Sequence, residues 1–139
     1  MEYKRFENKI IARFDKGEEI HETLKKIALK ENIKLASINA IGATDNFTVG
    51  VFDLETKIYH EKTVTGPHEI LSLIGTITTK DNEYYAHLHI TCGNENCDAV
   101  GGHLNKCYIS ATCEMVIDII NGQIARQFDQ KIGINLFKF

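Results

Sequence analysis

Between Glu83 and Cys92 apolar and polar residues alternate without interruption (EYYAHLHITC), and that alternation narrows what the segment can become. In an extended chain successive side chains point to opposite faces. Tyr84, Ala86, Leu88, Ile90 and Cys92 then form an apolar face that a core must cover. Tyr85, His87, His89 and Thr91 form the opposite face. The segment is expected as a half-buried strand, with two imidazoles about 7 Å apart along its polar side, from a rise of roughly 3.4 Å per residue.

The flanking sequence repeats this grammar. Residues 3–14 (YKRFENKIIARF) are expected as a first strand, with Ile10, Ala12 and Phe14 alternating against Lys9, Ile11 and Arg13. Asp15 stands three residues ahead of Glu18, the pattern of a capping box with Asp in place of Ser or Thr. A helix should follow to about Lys30. Its Ile20, Leu24, Ile27 and Ala28 fall on one face, and Asn32 is the expected stop. His21, within that helix, is read as a surface residue.

Beyond it the chain reads as strands: Lys34–Ile41 ending at Gly42, Phe47–Leu54, Lys57–Val64, a break at Gly66-Pro67, and His68–Thr79. Gly75 inside the last of these suggests a bulge or a close backbone approach. Lys80-Asp81-Asn82 turns the chain into the histidine strand. A loop over residues 93–102 is expected, then Cys107–Ile120, an Asn121-Gly122 turn of the kind hairpins favour, Gln123–Phe128, and Ile134–Phe139. One helix and eight or so strands joined by short turns imply an α+β fold with a mainly antiparallel sheet and one amphipathic helix packed on it. No linker or repeat divides residues 1–139, so one domain is expected, large enough to bury its own core.

Charge and cysteine content bound the function. The formal net charge is -3, which weighs against a main partner made of phosphate backbone, since such proteins carry a basic patch. The start, MEYKRFENKIIARF, lacks the apolar stretch of a signal peptide, and no apolar run reaches bilayer length. A cytoplasmic protein is expected, its four cysteines (92, 97, 107 and 113) reduced. No C-x-x-C pair is present. Cys92 and Cys97 are read first as buried small hydrophobes, with metal ligation the alternative. The chain has no nucleophilic serine motif, no phosphate-cradling glycine loop, and no aromatic-and-basic stripe for single-stranded nucleic acid.

The histidines carry the sharpest chemistry. If Gly101-Gly102 turns the chain so that His103 folds back toward His87 and His89, three imidazoles converge. Three nitrogen ligands with a fourth position open is the donor set of a catalytic zinc centre; nickel, cobalt or iron could substitute. The competing reading is three polar residues lining a subunit interface. Ligating imidazoles usually donate their other N–H to a carboxylate or carbonyl. Glu69 and Glu114, each acidic within an apolar strand, are the candidates for that role or for a general base. Metal affinity should fall as pH drops through the free-histidine region near about 6.5.

In order along the chain, GEEI…L…A…NIKLASINAIGA, HEILSLIGTIT, AHLHIT, GGHL and ATCEMVI resemble the plants-and-prokaryotes-conserved (PPC) domain family. The resemblance runs from about Arg13 to the closing INLFKF. It implies a PPC-like α+β fold and a homotrimer. It also carries His87 and His89 over from the family's H-x-H strand and His103 from its G-H-L turn, as a metal site seen in stand-alone prokaryotic relatives. In plants the domain follows AT-hooks, Arg-Gly-Arg-Pro segments that enter the DNA minor groove. This sequence has none. Three functions follow as expectations: a zinc-type metal domain that binds or acts on a small molecule, a DNA-associated protein as the family label has it, and an assembly module without chemistry.

Overall fold

Hydrophobic alternation needs two strands to face each other before it can bury anything, and the chain begins with such a pair. In the computed structural model, which describes residues 1–139, β1 (Glu2–Phe6) and β2 (Lys9–Asp15) form a hairpin with Phe6 opposite Lys9. The single strand expected over 3–14 is therefore two. The reversal falls at Glu7, whose φ of 51° takes the left-handed form that a tight turn requires. Ile10, Ala12 and Phe14 all face inward, as the alternation requires.

Helix α1 (Ile20–Lys30) starts later than the Asp15 capping pattern implies. One half of that box exists: the Asp15 N–H donates to Glu18 Oε2 at 2.8 Å. The capping side chain is Glu19, which accepts from the Glu22 N–H at 2.8 Å and from the Cys107 N–H at 3.1 Å. It therefore satisfies a helix start and anchors the helix to a strand with one carboxylate. Ile20, Leu24, Ile27 and Ala28 are buried with Thr23. The helix ends where expected, with Asn32 at φ 53° and the Ile33 N–H closing onto the Ala28 carbonyl at 2.9 Å.

The remaining strands are longer than the sequence divides them: β3 (Ala36–Phe52), β4 (Tyr59–Lys80), β5 (Glu83–Gly93) and β6 (Ala99–Ile119), then β7 (Ala125–Asp129) and β8 (Ile134–Lys138). Gly42 does not end a strand; β3 passes it with register shifts at Ala40/Gly42 and Thr44/Asn46. Gly66-Pro67 does not break β4. Thr65 and His68 pair with Asn46 and Thr44, so the proline lies in the bulge between them, where its missing N–H costs the ladder nothing. Asn121-Gly122 makes no hairpin either, because β7 leaves β6 and pairs with β4, in parallel, and with β8.

The sheet runs β1-β2-β6-β3-β4-β7-β8, and β5 pairs with both β4 and β6. Since β3 also pairs with β4 and β6, these four strands close on themselves. Their inner faces and α1 enclose one core of 25 buried residues, including Phe14, Leu24, Ile27, Leu73, Ile77 and Leu88. The architecture is α+β and mainly antiparallel. The outward face is not uniformly polar: Ile11, Ile41, Leu71, Ile74 and Val116 are exposed on β2, β3, β4 and β6.

A candidate metal centre on the closing seam

β5 holds the alternating segment Glu83–Cys92, and its two faces fall as expected. Leu88, Ile90 and Cys92 are at most 2% exposed, with Tyr84 and Ala86 packed at the core's edge. His87 and His89 point the other way. The segment expected as a loop over 93–102 is shorter than that. β6 begins at Ala99, and Gly101 and Gly102 pair with Thr91 and Ile90 of β5. The glycines do not form a turn; they let two backbones meet. A Cβ on Gly101 would strike the Ile90 carbonyl oxygen, and one on Gly102 would lie 2.9 Å from the Gly50 carbonyl oxygen. That seam sets His103 directly opposite His89.

Ring centroids lie 5.0 Å apart for His87 and His89, 5.0 Å for His87 and His103, and 5.6 Å for His89 and His103. One nitrogen from each ring falls within 4.8 Å of the other two, and no thiol or carboxylate joins the group. His89 is exposed and the other two are half-buried. Desolvation first, then the neighbouring charges of His103, Arg126 and His89, push the His87 pKa down to about 4. His103 is lowered as well, chiefly by burial. His87 thus keeps its lone pair well below neutrality, and burial biases His103 the same way, toward the form a metal requires. The donor set fits a divalent transition metal: three imidazole nitrogens converging on one point, with open space before them.

That space is a hollow of about 450 Å³ walled by the three histidines with Val51, Phe52, Tyr59, Tyr85, Phe128 and Ile134 among others. The Tyr59 ring lies edge-on to His103 at 6.2 Å, and its hydroxyl donates to Asn105 Oδ1. Asn105 in turn donates to Glu61 Oε2 at 3.0 Å. The carboxylate nearest the centre by hydrogen bonding is therefore Glu61, two links behind Tyr59.

The expected carboxylates lie elsewhere. Glu69 and Glu114 are exposed and line a separate hollow with Ile41, Gly42 and Leu71. β4 sets Glu69 opposite Ala43 and Gly93, and β6 sets Glu114 opposite Arg13 and Ile41. Neither is buried, so neither needs the partner that its apolar surroundings in sequence suggested. The structure does not bring them to the histidines. Cys92 is buried and its thiol is pushed up to about 12 by desolvation, whereas Cys97 is exposed on the connecting loop at φ 62°, against the reading of both as buried. His21 is not a free surface ring: its Nε2 lies 3.0 Å from the Leu104 carbonyl oxygen.

The residue that sequence reasoning missed is Arg126. It is 7% exposed, stacks between the rings of Tyr85 and Phe137 at 4.9 and 4.6 Å, and reaches His87 Nδ1 at 3.5 Å. Nothing in the local pattern of β7 announces it. Only the parallel pairing of Thr79 with Ala125 brings it beneath β5.

Residues 1–121 match the Plants and Prokaryotes Conserved (PCC) domain. The chain belongs to that family. Solved structures share this PCC fold across the chain's length. One, from Bacteroides thetaiotaomicron, is a protein whose name carries a conjectured DNA-binding role; it is 33% identical, with a TM-score of 0.96 over 99% of this chain and 96% of its own. A plant- and prokaryote-conserved protein from Pyrococcus horikoshii is 31% identical, with a TM-score of 0.86 over 99% and 94%. A metal-containing protein from Archaeoglobus fulgidus is 29% identical, with a TM-score of 0.87 over 99% and 97%. No curated protein matches the chain. No helix of this PCC domain is long and apolar enough to cross a membrane.

Proposed function

We propose that this PCC domain holds one divalent transition metal, zinc foremost, on His87, His89 and His103, and uses it to bind or act on a small molecule in the adjoining hollow. The observation that carries the reading is the convergence of three imidazole nitrogens within 4.8 Å on the wall of an aromatic-lined cavity. Neutral nitrogen donors and tetrahedral geometry favour zinc, and the metal in the Archaeoglobus relative supports a metal here. A divalent ion in such a site supplies Lewis-acid polarisation of whatever occupies its open position. The chain's own residues do the rest: the β5–β6 seam fixes the ligands, and Tyr59, Tyr85 and Phe128 give the hollow an aromatic wall.

A homotrimer fits the same reading. The exposed apolar residues on the outer face of β2, β3, β4 and β6 are more than a solitary domain gains from showing to water, and a second copy would cover them. DNA binding, the role named for the Bacteroides relative, is the weaker alternative. A formal net charge of -3 opposes it, and the sequence contains no Arg-Gly-Arg-Pro hook.

Metal analysis of protein purified without added metal tests the proposal, alongside His87→Ala, His89→Ala and His103→Ala. The expected result is one zinc-type ion per chain in the parent. Each variant should lose it while keeping its fold, because the buried face of β5 carries the core. Full occupancy in His103→Ala would overturn the site.

A further inference from the structure

Arg126 has a charge that nothing in the protein answers. Its Nε donates to Thr78 Oγ1 at 2.9 Å, Nη1 to the Asn135 carbonyl at 3.1 Å, and Nη2 to Thr76 Oγ1 at 3.3 Å and to His87 Nδ1 at 3.5 Å. Every partner is neutral. None of the ion pairs in the structure includes it. Buried charges are retained when something pairs them, and here the partner must come from outside the chain.

The guanidinium opens on a second hollow, of about 470 Å³, shared with Ser37, Asn39, Thr76, His87 and His89 and free of acidic residues. His87 and His89 wall both hollows, so they stand between a polar cationic chamber and an aromatic one. The proton count on His87 sharpens the point. An arginine N–H can only donate, so Nδ1 accepts and the neutral ring carries its proton on Nε2. A metal on Nε2 would move that proton to Nδ1 and set two donors face to face. A metal on Nδ1 would take the acceptor away from Arg126. Either way an Arg126 N–H is released beside new positive charge, and an oxyanion satisfies both.

We propose that Arg126 anchors the carboxylate of a small-molecule ligand in this chamber, and that carboxylate and metal binding reinforce each other through His87. The coupling rests on the metal reading given above; the anchor does not. One Arg126 N–H, on Nη1, is free for a carboxylate in the metal-free protein, and the Nη2 N–H released from His87 completes a two-pronged contact when metal binds. The aromatic chamber across the histidines accepts an apolar body. A residue 7% exposed and sandwiched between two rings is out of reach of a duplex backbone, which argues for a small molecule.

The probe is benzoate, with benzamide as its neutral isostere, titrated calorimetrically into metal-free and cobalt(II)-loaded protein. Benzoate should bind both, at least tenfold more tightly when cobalt is present, and saturating benzoate should tighten cobalt binding by the same factor. Arg126→Gln should lose at least tenfold in benzoate affinity in both forms. Asn39→Asp, which supplies a carboxylate from the chain and leaves the arginine's packing intact, should do likewise, and decides the matter if Arg126→Gln does not fold. A parent protein that binds no cobalt ends the metal reading and the coupling, while the metal-free titration still decides the anchor. Benzamide binding as tightly as benzoate, inorganic phosphate outcompeting benzoate, or benzoate affinity unchanged in Asn39→Asp overturns the proposal. So does an Arg126→Gln protein that keeps its benzoate affinity but changes its oligomeric mass, which would make Arg126 a subunit contact.

Discussion

Acid should unfold the metal-free protein through His87 before it does so through the carboxylates. The ring's pKa is held at about 4, against an ordinary 6.5, so between those values the unfolded chain binds a proton that the fold excludes. Stability therefore rises with pH across that window. The contribution of the neutral ring is complete above about pH 6.5 and is lost as pH falls toward about 4. At pH 5 the two affinities for the proton differ in effect by about 30-fold, roughly 2 kcal/mol, and solvent reaching the half-buried ring brings this to about 1–2 kcal/mol. His103, lowered for the same reason, adds in the same direction. The assay is urea unfolding of metal-free parent and His87→Gln at pH 7 and pH 5. The parent should lose about 1–2 kcal/mol more than the variant. Asp15, Glu31 and Asp53, whose pKa values are lowered by hydrogen bonds, are present in both proteins and cancel in the comparison. Equal losses would refute the buried neutral imidazole. The same shift revises the expected pH limit for metal binding: at pH 5 a free imidazole is neutral in about one molecule in thirty, His87 in about nine of ten.

Gly101→Ala should lower stability by about 1–3 kcal/mol by overpacking the β5–β6 seam, and should weaken zinc binding although the residue touches no metal. Urea unfolding and a zinc titration check this, and an unchanged zinc affinity would mean that the seam does not set His103. Light scattering should give a particle of roughly three times the 15.7 kDa chain; a monomer at all concentrations would show that the apolar outer face stays bare. Duplex DNA should bind weakly, without sequence preference, and with affinity falling steeply as salt rises. Submicromolar, sequence-selective binding near about 150 mM salt, measured by fluorescence anisotropy, would reverse the order of the two functional readings.

Much of the site was legible because β5 needs only its own period to set its faces. Leu88 and Ile90 must be covered, so His87 and His89 must not be, whatever strands lie alongside. The same holds for α1, where a 3.6-residue period selects Ile20, Leu24, Ile27 and Ala28 unaided. What misled were residues whose local preference is real but outvoted. Pro67 ends a strand only if its N–H is wanted, and a bulge removes the want. Gly101 and Gly102 suggest a turn by composition, yet the register requires them as the one pair small enough to let β6 reach the carbonyls of Ile90 and Gly50. Glu69 and Glu114 look stranded in apolar text, but they alternate with buried Ile70, Cys113 and Met115 and simply face outward. Arg126 is the limiting case: its place depends on a parallel contact between strands 46 residues apart at Thr79 and Ala125, which no local pattern encodes.

The charge at the centre follows from these same strand choices. The face of β5 that meets the hollow offers Tyr85, His87 and His89, and the paired stretch of β6 adds His103 and Gly101 on the same face. No acid stands in the cluster: Glu61 accepts from Asn105, and Glu69 and Glu114 face another hollow. On the proposed metal reading, a divalent ion held by three uncharged ligands would keep its full charge, and Arg126 lies close behind His87. On that reading both chambers bordering the histidines would favour ligands that bring negative charge with them. An acid introduced by mutation should compete with such a ligand instead of improving the site, which is why the carboxylate in Asn39→Asp is expected to weaken benzoate binding.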